Sequence, residues 1–188
     1  VNPAANAGLV EGMKGLFNPT GTIAKQFKSG MMGEGILGLD EINMSQSISS
    51  FTTGSRSAGA TVTTTVSTQG QTTIAITTNG ATDTIKLGDV FTIANVYAVN
   101  PQTRQSTGSL YQFVALADAT ASGSAVTVTV PAMYTASNAL ATIDAFPQAA
   151  AAITWVGSAS TAYPQNLIYH KDAITFRSEE HTSELQSR

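Results

Sequence analysis

The chain has 188 residues, a length that suits one domain, or one domain with part of another. Lys and Arg total 9 against 12 Asp and Glu, a net charge of -3, which argues against a nucleic-acid binder held by overall charge. Cysteine is absent, so disulfide frameworks, thiolate zinc sites and cysteine nucleophiles are excluded.

No apolar run reaches the roughly 18 residues of a membrane span, and no basic-then-apolar secretory signal opens the sequence. Hydrophobic residues make up 42% of the chain, enough for a packed core. Charged residues make up 11%, against about 25% in an ordinary globular domain. Between Ser55 and Gln165 the charges are Arg56, Asp83, Lys86, Asp89, Arg104, Asp118 and Asp144. Thr, Ser, Asn and Gln must therefore wet that surface. Such a surface suits a protein that meets many neighbours or is displayed outside a cell.

The elements fall in three stretches. Asn2-Pro3 starts a helix, with Asn as N-cap and Pro in the first turn. Leu9, Val10, Met13, Leu16 and Phe17 continue it at helical spacing. Asn18-Pro19-Thr20-Gly21 ends it, and a shorter helical piece surrounds Ile23, Ala24 and Phe27. From Ile36 the chain turns strand-like, with an extended piece at 42–48. A Ser/Thr/Gly connector over 49–60 marks the expected domain boundary.

Short alternating strands then recur about every ten residues. They are expected at 61–66, 72–78, 83–87, 90–99, 110–117 and 125–130, with Gln69-Gly70, Asn79-Gly80, Gly88-Asp89 and Asn100-Pro101 as turns. Asn79-Gly80 is a hairpin signal, and Pro131 is expected to end the strand before it. A turn or short helix at 134–140 and closing strands at 142–146 and 153–156 complete the set, with Trp155 as a core anchor. The pattern reads as an antiparallel barrel or sandwich over 58–159. Residues 166–170 and 173–176 look like strands returning to the first region. The fold class expected is thus an α+β frame, 1–57 with 160–176, interrupted by an all-β antiparallel barrel.

The last stretch changes composition abruptly. Arg177-Ser-Glu-Glu-His-Thr-Ser-Glu-Leu-Gln-Ser187 resembles the translation of a common short-read sequencing adapter, and 177–188 is set aside as an artefactual, disordered tail. With no initial Met, the remainder reads as an internal slice of a longer protein.

The chemical motifs are weak. Gly33-Glu-Gly35-Ile-Leu-Gly38 spells G-x-G-x-x-G, but a dinucleotide site needs a strand before it, a helix after it and an acid about 20 residues on; a hinge fits better. His170 and Asp172 share a strand face, yet no G-x-S-x-G elbow supplies a nucleophile. Metal ligands are too few, Asp40-Glu41 included. Asp83 and Asp89 flank Lys86, which reads as a local ion pair on a hairpin rim rather than a glycosidase pair. Asn43-Met44-Ser45 matches a glycosylation sequon by chance. No catalytic, cofactor or metal residues are assigned, and the chain reads as a non-enzyme.

Arg104 lies in a polar loop between apolar strands. It is either a solvated hairpin tip or a contact loop whose guanidinium fork reaches a neighbouring subunit.

Leu87-Gly-Asp-Val-Phe-Thr-Ile-Ala-Asn-Val-Tyr-Ala-Val-Asn-Pro-Gln-Thr-Arg-Gln-Ser-Thr-Gly108 and Asn166-Leu-Ile-Tyr-His-Lys-Asp-Ala173, with the looser Gly38-Leu-Asp-Glu41, resemble tailed-phage major capsid proteins of the P22 coat type. The resemblance implies an HK97-like capsid fold carrying an inserted, telokin-like β-barrel over 58–159. It implies a virion subunit, assembled in the host bacterial cytoplasm with copies of itself, scaffolding proteins and a portal, and with no membrane or sequence-specific nucleic-acid partner. The family's long N-terminal region and its C-terminal part are missing. Loops of the insertion set intersubunit contacts in the family, and the matching positions are Gln102, Arg104 and Gln105, then Gln69 and Gln71. The competing reading is a carbohydrate- or surface-binding β-module of a tail or adhesin, with Tyr97, Tyr111 and Phe113 as its platform.

Overall fold

The computed structural model describes residues 1–13, 42–170 and 173. The chain divides into two compact units, Val1–Ser49 with Pro164–Arg188, and Ser50–Tyr163. In the first, α1 spans Pro3–Met13. Asn2 caps it as expected, its Oδ1 accepting the Ala5 N–H at 3.1 Å. Asn2 also donates its backbone N–H to Asn166 Oδ1 at 2.7 Å. No strand forms at 42–48 or 166–170, where Leu167, Ile168 and Tyr169 stand exposed. The second expected helix, the G-x-G-x-x-G run, Asp40-Glu41, Asp172 and the adapter-like tail lie outside the described residues.

The second unit is built from antiparallel pairs. β2 (Thr61–Val62), β3 (Gln71–Thr77) and β8 (Ala125–Met133) form one three-stranded sheet, and β6 (Ser106–Val114), β5 (Val90–Val99) and β9 (Ile153–Trp155) form another. Single backbone bonds bridge the outer strands. Ile153 donates to Ala60 O at 2.9 Å and Val62 to Ala151 O at 3.0 Å, while Leu116, just past β6, donates to Thr129 O on β8 at 2.8 Å. Two small pairs, β4 (Thr84–Ile85) with β7 (Ala119–Thr120) and β1 (Ser50–Thr52) with β10 (Ala162–Pro164), complete it.

Period-two alternation puts Ile74, Ile76, Val126, Val128 and Val130 into one core with Phe91, Ile93 and Phe113. The Phe91 and Phe113 rings stack at 5.5 Å, and Trp155 tilts against Phe91 at 5.1 Å, so Trp155 anchors this cluster from its edge. On β5 the alternation changes phase. Asn95 takes a φ of 64°, the pairing with β6 shifts between Thr92 and Tyr97, and Val96 rather than Tyr97 enters the core. A bulge carried by an asparagine thus re-aims the distal half of the strand.

Three strands differ from their sequence pattern for local reasons. The strand expected at 61–66 stops at Val62 because the chain bends to bury Val66, whose N–H donates to Pro147 O at 2.9 Å. β8 continues through Pro131 to Met133, since the register shifts opposite Gln71 and Thr73 and a bulge tolerates a residue without an N–H. Residues 142–146 form no strand, although Ile143 bridges both Ala98 and Thr135.

The Asn79-Gly80 hairpin does not form either. β3 pairs with β2 and β8, and β4 pairs with β7. Packing requires the glycine here, because an added Cβ would lie 2.0 Å from Asp83 Oδ1.

Phe113 is fully buried, so Phe113→Ala should cost about 3–5 kcal/mol. Urea denaturation followed by Trp155 fluorescence measures this, and the expected result is a lower midpoint.

Candidate functional site

Two places in the second unit concentrate its few charges. The first is buried and starts from Arg56, on the stretch that follows β1. Its side chain is 1% exposed and pairs with Asp89, itself 0% exposed. Nη1 meets Asp89 Oδ1, while Nη2 donates to the carbonyls of Val156 and Gly157. The guanidinium lies 5.3 Å from the Trp155 ring centre, a cation–π distance. The other carboxylate oxygen of Asp89 accepts the N–H groups of Gly54 at 3.1 Å and Lys86 at 2.7 Å.

Asp83 is buried as well. It accepts the Ser57 N–H at 2.9 Å and the Ser57 hydroxyl at 3.0 Å. The local ion pair expected among Asp83, Lys86 and Asp89 on a hairpin rim therefore does not form. The two aspartates face inward to hold the 54–57 stretch, while Lys86 points out and pairs with Asp118 at 3.1 Å. The backbone N–H of Leu87, and then Lys86, hold the Asp118 carboxyl below its ordinary 3.8.

The second place is the β5–β6 hairpin. Asn100 Oδ1 accepts the N–H of Gln102 at 2.9 Å and of Thr103 at 3.3 Å. Arg104 N–H donates to Asn100 O at 2.8 Å, and Asn100 N–H to Gln105 O at 3.0 Å. This Asx turn sets Arg104 at a φ of 55°. Residues 101–110 are all exposed, so Gln102, Arg104 and Gln105 share one outward tip. Beyond it, the pairing shifts between Tyr97 and Val99, and Gly108 has a φ of 74°. That bulge blunts the strand edge.

Gln69 and Gln71 lie elsewhere and are engaged within the unit. Gln69 donates to Thr135 Oγ1 at 2.6 Å and Ser137 Oγ at 3.0 Å, and accepts the Thr135 N–H at 3.0 Å. Gln71 donates to Thr73 O at 2.9 Å. The three aromatics considered as a glycan platform do not form one: Phe113 is buried, and Tyr111 packs edge-on against it at 4.7 Å.

Comparison with known proteins gives this geometry its context. The family model described as P22 coat protein, gene protein 5, matches residues 10–185. The chain belongs to the P22 coat protein family. Among solved structures, the CUS-3 coat protein I-domain is similar at 27% identity with a TM-score of 0.40, covering 53% of this chain and 96% of that one. No curated protein matches. As a P22-type coat protein the chain is a structural subunit of a phage capsid, assembling with copies of itself in the virion shell.

Arg56 escaped the sequence reading. The signal available was a lone arginine two residues after Gly54, where an added Cβ would lie 2.0 Å from Thr84 O.

Because the Asp118 carboxyl is held low in the fold, its contribution is present above the unfolded value and lost as pH falls through the folded one. The stability difference between the parent chain and Asp118→Asn should therefore be small at neutral pH and close on acidification below about pH 4. Denaturation midpoints across an acid series check this.

Proposed function

We propose that Ser50–Tyr163 is an inserted domain, a small closed β-barrel, set into an HK97-like capsid core to which the flanking residues belong. The observation that carries this reading is the pairing of the boundary strands. β1 and β10 lie side by side, Thr53 N–H donates to Thr161 O at 3.1 Å, and the Thr53 hydroxyl donates to Ser158 O at 2.7 Å. The chain leaves the unit where it entered, as an insertion requires. The backbone bonds between the outer strands of the two three-stranded sheets support closure.

In this reading the barrel braces its own subunit and lends the 100–105 tip to a neighbour. Arg104 suits that role, because its guanidinium has no partner among the described residues and its turn holds it away from the barrel. A planar fork of donors recognises a carboxylate or carbonyl with little ordering left to do. Sparse charge elsewhere means few ions to desolvate when subunits meet. Scaffolding and portal proteins, and assembly in the bacterial cytoplasm, follow from the family's biology as further expectations. The role is structural rather than enzymatic.

Two outcomes test the reading. Arg104→Ala should leave thermal unfolding within about 0.5 kcal/mol of the parent, as exposed substitutions do, while changing particle yield or size in the full-length coat protein; unchanged particles would remove the contact role. Secondly, the fragment 50–163 should unfold cooperatively on its own. The shorter 58–159 lacks Arg56 and Gly54, which meet the two oxygens of Asp89, and Ser57, which holds Asp83. Its urea midpoint should be clearly lower, and a fragment 50–163 without a sigmoidal transition would sink the inserted-domain reading.

A further inference from the structure

Arg56 touches three separate pieces of chain. It sits on the incoming stretch after β1, pairs with Asp89 at the turn before β5, and donates to the carbonyls of Val156 and Gly157 on the outgoing stretch. Around it the incoming stretch is pinned further, by Gly54 N–H to Asp89 at 3.1 Å, by Ser55 N–H to Thr84 Oγ1 at 2.9 Å and by Ser57 N–H to Asp83 at 2.9 Å. The outgoing stretch is pinned by the Ser160 N–H to Gly54 O at 3.0 Å and by the Thr161 N–H to Thr53 Oγ1 at 3.1 Å.

Those boundary strands are short and carry little apolar surface. β1 and β10 have three residues each, with the pattern exposed, half-buried, exposed. Elements of this kind ordinarily open locally, well below the free energy of global unfolding. Two strands with six residues between them do not hold by pairing alone.

We infer that Arg56 is a latch that makes opening of the boundary strands part of the cooperative unfolding of the whole unit. The mechanism is the desolvation of its partner. Peeling the incoming stretch as far as Arg56 would take the guanidinium from Asp89, and peeling the outgoing stretch as far as Val156 would take the carbonyls from the guanidinium; either leaves a buried ionic group short of partners, a disfavoured state. The boundary strands therefore inherit the stability of the core. In a shell subunit this would carry load from the flanking chain into the core instead of unzipping the junction.

Hydrogen exchange on the full chain tests this. In the parent, the amides of Thr53 and Ser160 should exchange together with core amides such as Ile74 and Ile76. Arg56→Lys keeps a positive charge beside Asp89, but a single ammonium cannot span the carboxylate and both carbonyls. It should leave the core amides protected while the boundary amides exchange at least about tenfold faster. Arg56→Met should open the same gap wider. Should Arg56→Met fail to fold, Arg56→Lys decides alone. Boundary amides that track the core in Arg56→Lys, or that already exchange far ahead of it in the parent, would overturn the latch.

Discussion

A carboxylate with no access to water must find its counter-charge and its hydrogen bonds inside the protein, and Asp89 imposes that requirement on everything near it. Arg56 meets one oxygen, and the backbone N–H groups of Gly54 and Lys86 meet the other. Each donor comes at a structural condition. Gly54 must be glycine because a side chain would strike Thr84 O. Arg56 must hold its guanidinium over Trp155, 5.3 Å from the ring centre, and Trp155 in turn rests on Phe91 in the core. One buried charge thus ties the first stretch of the unit, the β4–β5 turn and the end of β9 into a single arrangement. Replacing the pair by apolar residues could be neutral for stability, but it would lose this specification of where three chain segments cross.

The same economy explains the exterior. With so few ionisable groups, the surface is wetted by hydroxyls and amides that also serve as local braces, as Thr63 does with Thr77 at 2.9 Å and Gln69 with Thr135. Charge is then reserved for positions where it does something specific. Asp118 pairs with Lys86 and takes the Leu87 N–H, and Asp144 accepts the Tyr97 N–H at 2.7 Å. Among the described residues of this unit, Arg104 is presented outward on its turn without a side-chain partner. For a subunit that assembles with copies of itself, low charge lowers the desolvation cost of contact.

Much of the β-unit was legible because alternation reports which face is buried. The spans of β3, β5 and β9, the start of β8 and the outward tip at 100–105 follow from β-branched periodicity and from Asn100-Pro101. What was illegible depended on partners distant in sequence. Asn79-Gly80 looks like a hairpin turn from its neighbours alone, yet β3 finds β2 and β8 instead, and the glycine answers to Asp83 packing. Pro131 looks like a terminator, but a bulge absorbs it.

The acidic pair shows the limit most clearly. Asp83, Lys86 and Asp89 sit within seven positions of each other in sequence, so proximity favours a shared surface. Burial reverses that preference. Lys86 can carry its ammonium to water, while the short aspartates reach only what the backbone brings to them. Which side of the turn faces the core is decided by Ile85 and Phe91, both fully buried, and by an arginine 33 residues before Asp89. A charge pattern read along the chain carries no information about a counter-ion that far away. A lone arginine beside a sterically required glycine, in a stretch otherwise free of charge, is the trace such an arrangement leaves in sequence.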